Sequence, residues 1–440
     1  MGAGASADLS KDQLKERYAG VKHRLYPEQQ TAVEALFKSS ENAGEILECV
    51  NTHLNDAEVP NMEYTEKPAF TDKHKSLMAK HLTPELFMTL KAAGPTAKGY
   101  TISRAIQTGV MTPHLGVGIT AGDEESWEKF KDIYYPVIKG WHQFDPTTQS
   151  HTSDLDASKI TMTEEQVKMF NEFVASTRIR AARNVSGYAL PAGTNDEDRE
   201  KVREVLCGAF EKFEGEMAGK YYDLGSLSDE DRDRLQNSGF LFQIPKTTNL
   251  LWHAGAARNW PTDRGIFHNE KKTVLCWVNE EDHCRIISME DGGNVKSVFT
   301  RFTQISKTLK TAAEANGTKL MYSEKLGFLG TCPSNLGTGL RASVMIKLTK
   351  FNETQESREV LEQVCNKFDL QPRGSAGEHS AAVEDKFDVS NKQRIGYTEV
   401  QLVQKMIDGV TKVISLEKAM AKGRRPSPQS RRKLHNRLYP

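Results

Sequence analysis

The chain has 440 residues, and its 59 Lys and Arg are balanced by 59 Asp and Glu, so the formal net charge is zero. That balance excludes a global basic field for nucleic acid, and no apolar run approaches the roughly twenty residues of a membrane-spanning helix. The length predicts one large domain plus a smaller one, and six scattered cysteines without metal spacing read as reduced thiols in a cytoplasmic protein.

The N-terminus lacks an apolar secretory region. Met1-Gly2-Ala3-Gly4-Ala5-Ser6 fits N-myristoylation, with Gly2 as the acceptor; the plain alternative is a small-residue start. One acyl chain gives marginal binding, so the expected membrane contact is peripheral. Residues 1–66 read as an extension with helical stretches over Leu14–Leu36 and Ile46–Leu54. Residues 67–155 read as a small α-helical domain. Thr83 caps a helix there and Pro84 takes its first position; Trp127–Trp141 has helical spacing. The Asp-, Ser- and Thr-rich stretch 143–163 reads as a linker.

Residues 156–422 read as an α+β domain with a mostly antiparallel sheet flanked by helices. Strands are predicted at Val274–Val278, Cys284–Ser288, Gly327–Cys332 and Ala342–Leu348. Helices are predicted at Asp198–Phe213, Val295–Ala315 and Thr398–Lys422. Residues 423–440 carry Arg424, Arg425, Arg431, Arg432, Lys433 and Arg437 with no acid between them, the pattern of a solvated basic tail.

Two motifs carry chemistry. Asn279-Glu280-Glu281-Asp282-His283 follows the strand 274–278, and adjacent carboxylates there are costly unless a cation needs them. Cys332-Pro333-Ser334-Asn335-Leu336-Gly337-Thr338-Gly339-Leu340-Arg341 lies far downstream. Five arginines sit on strands or in Gly-rich loops. In Ser176-Thr177-Arg178-Ile179-Arg180 the alternation puts Arg178 and Arg180 on one side of a strand. Arg285, Arg341 and Arg373 complete the set. Guanidinium forks match phosphate oxygens, which points to a polyphosphate. There is no Walker loop and no protein-kinase motif set, and Gly116-Val117-Gly118 lacks the context of a dinucleotide fingerprint.

Over residues 70–420 the chain resembles a phosphagen (ATP:guanidino) kinase, the family of arginine and creatine kinases. The resemblance rests on the acidic turn, the Cys332–Arg341 run, Ile119–Ser126, Gly265-Ile266-Phe267-His268-Asn269 and Asp388-Val389-Ser390-Asn391. It implies reversible transfer of the ATP γ-phosphoryl to a guanidino nitrogen. Glu281 and Glu378 match carboxylates that hold the guanidinium. Cys332 matches the reactive cysteine, as a thiolate assisted by Ser334. The resemblance implies a guanidine site from Gly116, Val117, Gly118, Ile119 and Thr120 with Glu281, Cys332 and Glu378. It implies a nucleotide site from Ser176 to Arg180, Gly239, Arg285, Arg341, Ala342, Ser343, Val344, Met345, Asp388, and Arg373-Gly374-Ser375-Ala376-Gly377-Glu378. Mg²⁺ comes with ATP, held by phosphates and waters, with Glu280 reaching it through water and no direct protein ligand. The glycine-bearing loops around Gly116 and Gly374 read as lids. Gly239 and Met345 stand where the family usually has histidines. The short loop before Gly118 and Glu378 favour L-arginine as acceptor; taurocyamine, another guanidine, and a weakened nucleotide-binding scaffold of the same fold are the alternatives.

Overall fold

The computed structural model describes residues 10–21, 27–40, 61–243, 245, 250–374 and 385–423. Gly2, the stretch 46–54, residues 375–378 and the basic tail lie outside them.

The span expected to be helical over 14–36 forms two helices, Lys11–Val21 and Pro27–Ser39. Tyr18 bonds the Gln30 carbonyl and lies 5.7 Å from the Phe37 ring, so the two pack on each other. The small helical domain comes next. Its short helix Leu77–His81 is capped by Ser76, and Thr83 accepts from the Leu86 amide at the start of Pro84–Ala92. The helix Ile102–Met111 buries Ile102, Ala105 and Ile106 on one face. The run expected to be helical around Trp127–Trp141 breaks at Phe130 into Ser126–Lys129 and Lys131–His142. Phe87, Phe130, Ile133 and Tyr134 are wholly buried in this domain's core.

The larger domain is built on one antiparallel sheet. Its strands are β1 (Val174–Arg183), β2 (Gly219–Asp223), β3 (Gly265–Asn269), β4 (Val274–Val278), β5 (Cys284–Asp291), β8 (Arg341–Lys347), β9 (Leu370–Gly374) and β10 (Lys386–Asn391), in the order β2-β3-β4-β5-β1-β8-β10-β9. A separate two-stranded ribbon pairs β6 (Tyr322–Ser323) with β7 (Gly327–Phe328). The strand expected over 327–332 is therefore only two residues long. Beyond it Gly330 lies so close to Asp282 that a Cβ would meet the Oδ1 at 2.8 Å, and Thr331 gives its carbonyl to the Ala121 amide of the other domain. The chain leaves the ribbon to make those contacts.

Strand alternation decides which residues can serve a site. Ile179, Ala342 and Val344 are fully buried, packed with the helices Val295–Ala315 and Glu399–Ala421 in the main core. Thr177 is also buried, its hydroxyl donating to the Gly292 carbonyl at 2.8 Å. The opposite face carries Arg178 and Arg180, which pair in register with Ser343 and Arg341, while Arg285 pairs with Ala182. Asp388 pairs with Met345 on one side and Arg373 on the other. The side chains of Thr177, Ile179, Ala342 and Val344 thus point away from the arginine face, which corrects their expected place beside a nucleotide. No helix of the described residues is long and apolar enough to cross a membrane.

Candidate active site

The acidic turn splits into a structural half and a cleft-facing half. Asn279 takes a left-handed conformation (φ 55°) and its amide donates to the His283 carbonyl, closing the β4–β5 hairpin. Asp282 is buried and accepts from Asn184 Nδ2 at 3.0 Å and the Thr331 amide at 2.9 Å. Burial and the neighbouring Glu281 charge push its carboxyl up to about 6. His283 Nδ1 accepts from the Val185 amide and its Nε2 donates to the Ala189 carbonyl, and burial lowers it to about 4. These two residues hold the hairpin against the neighbouring loops. Glu280 and Glu281 face outward to Arg285, which lies 3.2 Å from Glu280 and bonds Glu281. The carboxylates hold Arg285 well above its ordinary value.

Glu281 stands on the wall between two cavities. The first, about 160 Å³, is mostly apolar. Gly116, Val117, Gly118, Ile119 and Thr120 line it from the small domain, with Trp141 and Leu115. Leu250, Leu251, Ala254, Thr331, Cys332 and Ser334 line it from the large one. The loop is tight because Gly109 and Gly118 nearly touch: a Cβ on Gly109 would meet the Gly118 carbonyl oxygen at 2.3 Å. The carbonyls of Gly116 and Val117 accept from the Leu77 and Met78 amides. The amides of 116–118 donate to no group among the described residues. Gly116 lies against the Trp141 ring, where a Cβ would come within 2.7 Å.

Cys332 precedes the short helical turn Pro333–Asn335, and its Sγ lies 3.1 Å from the Ser334 hydroxyl. Ser334 pulls the thiol down as expected from sequence, but burial and the Glu281 charge win and push it up to about 12. A cation beside Cys332 and Glu281 would act in the opposite direction, favouring the thiolate.

The second cavity, about 70 Å³, is polar. Arg180, Arg285, Arg341 and Arg394 ring it with Glu281, Asn335 and Gly339. Arg341 donates to Ser390 at 3.2 Å and pairs with Asp388 at 3.0 Å. Burial and its fellow guanidiniums push Arg178 down to about 10 and Arg180 well below its ordinary value. Such mutual repulsion marks a fan of fixed positive charge that an anion relieves. Trp277 braces it from below: Arg178 and Arg285 each lie 5.8 Å from its ring, and its Nε1 donates to the Phe240 carbonyl at 2.7 Å. Ser176, Ser343, Met345 and Arg373 lie farther along the same sheet face. Gly239 occupies an exposed turn at φ 70°, next to Phe240. Gly374 ends β9 in register with Phe387, and the residues that follow it in the expected lid lie outside the described residues.

Arg394 is a residue that the sequence reading missed. It bonds Asn335 and is pushed down to about 10 by burial and by Arg341. The signal stood three residues past the Asp388–Asn391 motif, but only the loop closing β10 aims it at the cleft. Leu250, Leu251 and Ala254 were missed too, because an apolar helical turn has no chemical signature.

No group of three or more His, Cys, Asp and Glu among the described residues is arranged to hold a metal. Residues 72–139 match the ATP:guanido phosphotransferase N-terminal domain, and residues 201–420 match the C-terminal catalytic domain. The chain belongs to the ATP:guanido phosphotransferases. It is 40% identical over 365 residues to the M-type creatine kinase of Gallus gallus, covering 82% of this chain and 93% of that one. A crystal structure of lombricine kinase superposes with a TM-score of 0.74 at 38% identity, covering 81% of this chain and 95% of the other. The duplicated taurocyamine kinase of Schistosoma mansoni superposes at 0.73 and 33% identity, covering 81% of this chain and 49% of that longer one. The protein is therefore a phosphotransferase with a guanidino acceptor, and members of its family use MgATP.

Proposed function

We propose that the protein transfers the γ-phosphoryl group of ATP reversibly to the guanidino nitrogen of L-arginine. The observation that carries this reading is Glu281, shared between an apolar cavity that also holds Cys332 and a polar cavity ringed by arginines. In the proposed reaction the guanidinium lies in the first cavity between Glu281 and Cys332, which draws Cys332 toward its thiolate. The triphosphate takes Arg180, Arg285, Arg341 and Arg394, with Arg178 and Arg373 farther along the face. As the triphosphate engages Arg285, Glu281 is released to the acceptor. The guanidino nitrogen forms a bond to the γ-phosphorus, the bond from the γ-phosphorus to the β–γ bridging oxygen breaks, and Glu281 accepts the nitrogen's proton. Catalysis of this kind is mostly alignment and charge neutralisation. When bound, Mg²⁺ would neutralise phosphate charge, and Glu280, 3.2 Å from Arg285, would be the carboxylate to meet its water shell.

The undonated amides of 116–118 suit an acidic head group on the acceptor, such as the arginine carboxylate. They suit a sulfonate equally, and the described lining has no second carboxylate for an α-ammonium. That favours taurocyamine as the second reading, in keeping with the superposed taurocyamine kinase. A coupled assay of ADP release over arginine, taurocyamine, lombricine, creatine and glycocyamine tests the choice. Arginine is expected to give the highest kcat/KM; inactivity with arginine and turnover of another guanidine overturns that assignment. Activity with none overturns the catalytic reading in favour of a nucleotide-binding scaffold.

We also propose that the protein works in the cytoplasm, held at a membrane surface by an acyl chain on Gly2. The Met1–Ser6 pattern supports this. Gly2→Ala is expected to move the protein from the membrane to the soluble fraction; unchanged partitioning discards the tether.

A further inference from the structure

The first cavity has one wall from each domain, and His253 is one of the residues that tie those walls together. The small-domain wall is the loop that leaves the helix Ile102–Met111 at Thr112. The large-domain wall is the helical turn Leu250–His253 with Ala254. Leu250, Leu251 and Ala254 face the cavity, whereas His253 turns to the other domain. Its Nδ1 lies 2.5 Å from the Thr112 hydroxyl, and its carbonyl accepts from Gln107 Nε2 at 2.6 Å. Thr112 and Gln107 are nearly inaccessible to water, at 6% and 1% exposure, so these bonds compete little with solvent. Both anchor points matter for the loop. Thr112 caps the helix through its amide on the Thr108 carbonyl, and its own carbonyl accepts from Leu115, the first loop residue to line the cavity. Gln107 also holds the Met62 amide at 3.1 Å.

We propose that His253 is a positioning residue for the acceptor: its side chain fixes the loop 112–118 against the turn 250–254 and so sets the width of the guanidine cavity. The proposal rests on the reading of that cavity as the acceptor site. The bond to Gln107 uses the main-chain carbonyl of residue 253, so it does not depend on the side chain there, and Thr112→Val tests the side-chain bond from its other end. His253 touches neither reacting group, so its loss alters the fit of the acceptor rather than the chemical step.

The test measures steady-state kinetics and amide hydrogen exchange together, on the full chain. His253→Ala and the near-isosteric Thr112→Val are each expected to raise the KM of the guanidine about three- to tenfold, the worth of one hydrogen bond. The KM of ATP and kcat are expected to stay within about twofold, as uniform ground-state binding requires. The double variant is expected to be no worse than either single one. His253→Asn, which keeps an acceptor near the Nδ1 position, is expected to recover most of the loss. Exchange at the hydrogen-bonded amides of Thr112 and Leu115 is expected to accelerate in His253→Ala and Thr112→Val, and not in His253→Asn. Unchanged exchange in both overturns the proposal, as does an equal rise in both KM values, which marks a general loss of structure. If wild-type protein turns over no guanidine, the site reading fails separately, and the exchange result still decides whether the walls are tied.

Discussion

Replacing Glu281 by Gln removes one negative charge and keeps the shape of the side chain. The fold is expected to tolerate it. Arg285 keeps Glu280 at 3.2 Å and Asp282 at 3.9 Å, so no cation is left unpaired. A fall in Tm of no more than about 4 °C is expected, near the effect of about 1 kcal/mol in a domain of this size. Activity is a different matter. A preorganised charged group aimed at the reacting centre is worth about 3 kcal/mol, so kcat/KM is expected to fall on the order of 100- to 1,000-fold. The same substitution has a second, independent readout. Glu281 is the largest electrostatic contribution raising the Cys332 thiol, after burial. Without it the pH at which Cys332 reacts with iodoacetamide is expected to move down. Coupled turnover, a thermal melt and the alkylation profile together check the argument. A loss of activity under tenfold with an unmoved alkylation profile refutes the placement of Glu281 between the two cavities.

Cys332→Ala is expected to cost about 10- to 100-fold in kcat/KM, the range of a charge-assisted contact, with little change in the KM of ATP; initial rates over both substrates decide it. Arg394→Met keeps most of the buried volume and removes one charge from the polar cavity. It is expected to raise the KM of ATP about tenfold or more, one charge-assisted hydrogen bond, and an unchanged value in a nucleotide titration removes Arg394 from the phosphate set. Acid is expected to unfold the protein through its buried histidines. His142, His151 and His283 are each lowered to about 4. A depressed folded value stabilises the protein above the unfolded value near 6.5 and loses that contribution as pH falls through about 4, at most about 3 kcal/mol per group. Asp282, raised to about 6, acts oppositely: its neutral form is favoured as pH falls below 6. Asp223, Glu399 and Glu417 are also raised and act with Asp282, while His81 and His268 are lowered and act with the other imidazoles; the three deeply lowered histidines leave a net loss. Urea midpoints between pH 7 and 4.5 are expected to fall, and a flat profile contradicts it.

Sequence alone determined the chemistry that this chain can attempt. The acidic turn, the Cys332 run and the alternating arginines are local patterns, and residue type and spacing carry their meaning without a partner in view. Val274–Val278, Val295–Ala315 and the cap at Thr83 were legible for the same reason: periodicity and capping act within a few residues. Tertiary structure decided what each motif member does. Strand register sent Arg178 and Arg180 to the cleft and Ile179 and Val344 to the core. Packing turned Asp282 and His283 into struts and left Glu281 on the wall between the two cavities. Burial and the Glu281 charge push the Cys332 thiol up, against the pull of Ser334 that the motif suggested. Arg394 and His253 entered the site only because distant segments meet there. Electric fields and desolvation depend on everything within several ångströms, and those neighbours lie tens to hundreds of residues away along the chain.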